Sequence, residues 1–190
     1  MHDALALVEL GSIARGYRVV DAMVKKSPVT VLEANLVEPG KYLILFAGGV
    51  AEVDEAFTEA LQVGGAEVLD RLMLPMVHPA ILPALAGKLS CQAPDTIGVV
   101  ETASVSSGLL ACDRALKDAF VELAGLRITP GLGGKAYFVV HGSQHDVEAA
   151  LAAAKGHLED GQLRQLELIP RPHEDFLAVI LRPAPFRLET

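Results

Sequence analysis

Tryptophan is absent from this chain, and cysteine occurs only at Cys91 and Cys112. Two thiols form neither a disulfide framework nor a metal-ligand spacing, so a reducing, cytoplasmic compartment is expected. No Lys/Arg-rich run exists, and a formal net charge of −8 leaves no electrostatic footprint for nucleic acid. Long hydrophobic runs are missing too: stretches such as Tyr42 to Ala47 fall far short of the roughly 20 residues a membrane span requires. The opening residues enter an apolar stretch that is too short, and at Glu9 too charged, for a signal peptide. Neither nucleic acid nor membrane is therefore expected as a partner.

Apolar side chains are what the chain has in abundance, at 51% of residues. That is more than two small cores can hide, which points to burial against other subunits.

The residues also repeat. Leu5 to Glu9 matches Ile97 to Glu101 at an offset of 92, which also pairs Ser12 with Ser104, Gly16 with Gly108, Asp21 with Asp113 and Lys25 with Lys117. Two extra residues then enter the second copy. An offset of 94 pairs Gly40 and Lys41 with Gly134 and Lys135, and Gly48 with Gly142; an offset of 95 pairs Pro75 and His78 with Pro170 and His173. Residues 1–92 carry 11 acids and 7 bases and residues 93–190 carry 13 and 9, so each half is −4. The chain is a tandem duplication, with domains expected at 1–90 and 91–190 and a linker at 86–95.

Each copy reads as strand, helix, strand, turn, strand, helix, strand. Leu5 to Leu10 is a short apolar strand, and Ser12 is a helix N-cap. Ile13, Tyr17, Val20 and Val24 form an apolar stripe, which Val105, Leu109, Cys112 and Leu116 repeat. Val29 to Val37 is a strand that ends in the turn Glu38-Pro39-Gly40. A further strand runs from Lys41, a helix is marked by Val50, Val53, Phe57 and Leu61, and a last strand spans Leu69 to Met76. Strands joined by a tight turn are antiparallel. The fold class is therefore α/β (α+β), with two copies of a small, mostly antiparallel sheet flanked by helices.

Several elements resemble the bacterial microcompartment shell domain: Val8-Glu9, Gly16, the run Asp21 to Lys25, the Gly-Lys turn, Gly48 and the run Ile169 to His173. The copies follow one another in the ordinary element order, as in the non-permuted tandem class. Pro39 to Tyr42 and His78 to Pro83 are most similar to the T-type tandem proteins of propanediol-utilisation compartments. The resemblance implies a structural protein and no enzyme: three chains would form a pseudo-hexameric disc, and discs would tile a shell around a central pore for metabolites or cofactors. Its partners would be itself, other shell proteins and enclosed enzymes. Val37, Glu38, Pro39 and Gly40 would line the pore, together with Thr129, Pro130, Gly131, Leu132, Gly133 and Gly134. Lys25, Lys117, Arg171, His78 and His173 would make tile-edge contacts, although the first copy has Met76 and Val77 where Arg171 and Pro172 stand.

T-type relatives carry a cysteine in the first pore turn, and three such cysteines hold an iron–sulfur cluster. Glu38 replaces it here, and such clusters require thiolates, so no cofactor is expected. Three Glu38 carboxylates about 6 Å apart would repel pairwise by roughly 1–3 kcal/mol for effective dielectrics of about 80 to 20. Such a ring favours cations, and a divalent metal on its axis is the single metal option.

The remaining constellations point to structure. Gly131 to Ala136 lacks the spacing and the Ser/Thr of a phosphate-binding loop. His141 and His145 lack a carboxylate pattern for metal and read as surface residues. Recurrence of His78 and His173 beside prolines suggests a structural role, such as satisfying a carbonyl. Cys112 reads as a small core residue, Cys91 as an exposed linker thiol, and Asp21 and Asp113 as members of structural ion pairs. Two rival readings remain: an electron-transfer or metal-binding tile, and a trimeric small-molecule-binding regulatory protein.

Overall fold

A computed structural model describes residues 3–89, 94–128 and 131–180. The expected exposed thiol of Cys91 and the pore positions Thr129 and Pro130 lie outside the described residues. Two compact units divide between Val77 and His78.

In the first unit the order is β1 (Ala4–Leu10), α1 (Ile13–Lys26), β2 (Thr30–Val37), β3 (Lys41–Gly48), α2 (Val50–Gly64) and β4 (Val68–Pro75). The strands form one antiparallel sheet in the order β2-β3-β1-β4. Central β1 is buried at all seven positions, which explains why it reads as a continuous apolar run rather than an alternation. Its Ala4, Ala6, Val8 and Leu10 join Ile44 and Phe46 of β3 beneath Val19 and Met23 of α1 and Val53, Ala56 and Ala60 of α2. Ser12 caps α1, its Oγ accepting the Arg15 N–H at 3.2 Å.

The apolar stripe of α1 only partly faces this core: Val20 is half-buried and packs against it, and the rest of the stripe does not. Gly16, Val19 and Met23 are the buried positions, whereas Ile13, Tyr17 and Val24 are exposed. Gly16 explains the choice of face. A Cβ there would strike the Tyr42 ring, which is held in place because its hydroxyl donates to the Ala34 carbonyl at 2.9 Å. Glycine lets the helix lie on that ring.

The second unit contains α3 (Ile81–Leu85), β5 (Thr96–Thr102), α4 (Val105–Asp118), β6 (Glu122–Ile128), β7 (Ala136–Gly142), α5 (Gln144–Gly156), β8 (Leu163–Pro170) and α6 (Glu174–Ile180). Its antiparallel sheet runs β6-β7-β5-β8, the same topology as the first. Ser104 and Ser107 form a capping box on α4. Here the stripe positions Val105, Leu109, Cys112 and Leu116 are buried. Gly108 again permits close approach, because a Cβ would strike Ala136 and Thr102.

The unit boundary lies upstream of the one read at residue 90. The segment from His78, which precedes the expected linker at 86–95, belongs to the second unit: α3 packs against β6, and Ile81, Ala84 and Leu85 are buried.

Candidate functional site

The two turns expected at a pore occupy equivalent places, between β2 and β3 and between β6 and β7. In the first, Val37 is buried while Glu38, Pro39 and Gly40 are exposed. Gly40 has φ +102° and donates its N–H to the Val37 carbonyl at 3.0 Å. In the second, Gly131, Gly133 and Gly134 all adopt positive φ, and the Lys135 N–H donates to the Leu132 carbonyl at 3.2 Å. Left-handed backbone at these positions is what selects glycine.

Behind each turn lies an ion pair that the sequence reading did not connect. Lys41 Nζ is 2.6 Å from Glu9 Oε1, and Lys135 Nζ is 2.8 Å from Glu101 Oε1. Both glutamates and both lysines had emerged as repeat matches. The missing step was that β1 neighbours β3, and β5 neighbours β7, which brings each pair together. The copies differ in burial: the Glu9 side chain is 2% exposed and that of Glu101 37%.

The expected ion pairs of Asp21 and Asp113 are present, each with the lysine one turn on. Lys25 Nζ to Asp21 Oδ2 and Lys117 Nζ to Asp113 Oδ2 both measure 2.6 Å. Asp21 and Lys25 are exposed. Asp113 is buried, and its other oxygen accepts the backbone N–H of His78 at 2.8 Å.

His78 and His173 repeat a local structural role, but as acceptors rather than partners of a carbonyl. Each Nδ1 accepts the N–H two residues on, from Ala80 and Asp175 respectively, at 3.3 Å. Burial lowers the His78 pKa from its ordinary value, Asp113 opposes that shift, and Lys117 adds to it. Arg171 and its first-copy counterpart Met76 share a left-handed backbone, with φ +46° and +53°. Both corners are tied to the start of the neighbouring strand: Arg171 N–H donates to the Asp95 carbonyl and Val77 N–H to that of Asp3.

His141 is not a free surface residue. Its Nε2 is buried, 3.7 Å from Glu122, and burial lowers its pKa against the pull of that carboxylate. His145 is exposed. Among the described residues no three His, Cys, Asp or Glu side chains gather as a metal site. Cys112 is buried, and burial pushes its thiol pKa up, which suits a core residue.

The BMC domain profile matches residues 4–77 and again 96–172. The chain belongs to the BMC domain family. Its two BMC domains align along almost their full length with the bacterial microcompartment shell protein PduT of Citrobacter freundii. The identity is 38% over 175 residues, covering 92% of this chain and 95% of the relative. A solved microcompartment protein from Desulfitobacterium hafniense superposes with a TM-score of 0.85 at 37% identity, covering 94% of this chain and 99% of the other. A fused permuted hexameric shell protein from the RMM microcompartment shares the fold, with a TM-score of 0.60 at 23% identity over 80% of this chain and 79% of that one. No helix among the described residues is long and apolar enough to cross a membrane.

Proposed function

We propose that this protein is a structural tile of a bacterial microcompartment shell. Three chains assemble into a pseudo-hexameric disc whose centre is a pore. The observation that carries this reading is the pair of complete BMC domains in one chain, aligned nearly end to end with a shell protein. The exposed apolar residues Tyr17, Val24 and Leu36 support assembly, since a surface of that kind marks an interface. In this disc the turns at residues 37–40 and 129–134 surround the pore, and Lys25, Lys117, Arg171, His78 and His173 make tile-edge contacts. Other shell proteins and enclosed enzymes are its partners, and the role is structural rather than catalytic.

The residues at the pore do not fit an iron–sulfur cluster. Neither turn contains a cysteine, and carboxylate oxygens are poor substitutes for thiolate ligands. A ring of Glu38 carboxylates gives the pore a preference for cations. Protein treated anaerobically with iron and sulfide is therefore expected to stay colourless; a brown, cluster-bearing product refutes this part of the reading.

Negative-stain microscopy of concentrated protein tests the tile itself. Hexagonal sheets are expected, with the soluble fraction sedimenting at three chain masses. Single chains that never form sheets would overturn the proposal.

A further inference from the structure

Among the described residues, the second domain carries its own cover and the first does not. After β4, the His78 N–H donates to the buried Asp113, and α3 lies against β6 with Ile81 fully buried. At the offset of 92, the positions Leu109, Asp113, Leu116 and Ile128 correspond to Tyr17, Asp21, Val24 and Leu36. Strand register supports the last pairing, since Leu36 faces Tyr42 and Ile128 faces Ala136 across their sheets. All four second-domain residues are buried, and all four first-domain counterparts are exposed. For the aspartates the side-chain exposures are 1% and 62%.

The chain also holds a second copy of the cover, exposed among the described residues. At the offset of 95, His173 corresponds to His78 and Phe176 to Ile81. The corner before each segment is left-handed, at Met76 and Arg171. Each histidine accepts the N–H two residues on at the same 3.3 Å. The two segments therefore leave their domains in the same local geometry. Yet His173 is exposed, and Phe176 stands in the open where Ile81 is fully buried.

We infer that the segment His173–Leu177 of one chain seats on the first domain of a second copy. There the His173 N–H donates to the Asp21 carboxylate, and Phe176 lies against β2. The contact is a repeat, between chains, of the one that the His78 segment makes on the second domain. It is head-to-tail, because each chain offers one plug after β8 and one socket on α1 and β2. Heterologous contacts of this kind close into a ring when the rotation permits. That the ring contains three copies rests on the tile reading; the identity of plug and socket rests on the comparison of the two domains.

The test uses two full-length variants, Asp21→Arg in the socket and Phe176→Asp in the plug. Both residues are exposed in the single chain, so circular dichroism is expected to match the parent. In sedimentation velocity over a dilution series, each variant should leave the ring at concentrations at least tenfold above the parent's dissociation midpoint. Mixing them restores one intact junction, from the plug of Asp21→Arg into the socket of Phe176→Asp. A 1:1 heterodimer should then appear at concentrations where each variant alone is a single chain. That recovery also shows that neither variant is misfolded. Variants that dissociate like the parent, or a mixture that yields no heterodimer, overturn the inference. If the parent still forms rings and sheets in that case, the tile reading stands without it. A parent that is a single chain at all concentrations defeats both.

Discussion

Lys41 Nζ lies 2.6 Å from Glu9 Oε1, at the point where β3 leaves the first turn and β1 passes beside it. The equivalent Lys135 and Glu101 are 2.8 Å apart but much more open to solvent. One ion pair thus occurs twice in one molecule, at two depths.

Replacing the lysine should therefore have two different costs. Lys41→Ala leaves a buried carboxylate without its cation, and a loss of roughly 3 kcal/mol is expected. Lys135→Ala breaks a solvated pair and should cost about 1 kcal/mol or less. Urea unfolding of the two variants checks the difference; equal losses would show that burial of Glu9 is not the deciding factor.

Gly16 and Gly108 should resist alanine. Helix propensity alone predicts a gain of about 1 kcal/mol for each. The new methyl would instead strike the Tyr42 ring in one case and Ala136 in the other, and overpacking of this kind costs about 1–3 kcal/mol. Net destabilisation is expected, with Gly108→Ala the worse because Ala136 is fixed to backbone and cannot turn aside. Gly125→Ala, where no atom lies within 4 Å, provides the control in thermal melts.

Lys25→Ala and Arg171→Ala should separate two levels of assembly. Both residues are exposed in the single chain. Sedimentation at three chain masses is expected to persist while sheets disappear from micrographs. Extended sheets in either variant would remove these residues from the disc edge.

Acid should loosen the segment that begins at His78. Burial holds its imidazole pKa below the ordinary 6.5, with Asp113 opposing and Lys117 assisting. The seated form therefore favours neutral histidine. Its contribution is fully present above pH 6.5 and is lost as pH falls through the lowered value. The Ile81 amide donates to the His78 carbonyl, and its protection factor in hydrogen exchange, with the base-catalysed intrinsic rate divided out, should fall on acidification. His78→Asn should abolish that pH step, and an unchanged step would assign it to another group.

Much of the architecture was legible in the residues. The repeat, the strand and helix order, the caps at Ser12 and Ser104 and the intrahelical pairs of Asp21 and Asp113 all follow from local spacing. What escaped was non-local. A 3.6-residue period finds the stripe Ile13, Tyr17, Val20 and Val24 but cannot say what covers it: Val20 packs on the first-domain core beside Gly16, Val19 and Met23, and the other three stay exposed. Asp113 is buried because a segment 35 residues upstream reaches it. The expected boundary at residue 90 places that segment with the first domain, whereas α3 forms within it and it belongs to the second unit. The Glu9–Lys41 pair needed the order of strands in the sheet. At the candidate site the turns were found from Pro and Gly alone, because backbone demands are written in single residues.

The left-handed corner at Arg171 has a bearing on how incomplete chains behave. A polypeptide interrupted just beyond β8 would still fold both of its sheets and still present Asp21 to a neighbour. It would have nothing to offer the next molecule along. Such a fragment would act as a chain stopper, joining a growing ring on one side and leaving it open on the other. Small amounts of truncated product should therefore poison assembly out of proportion to their abundance.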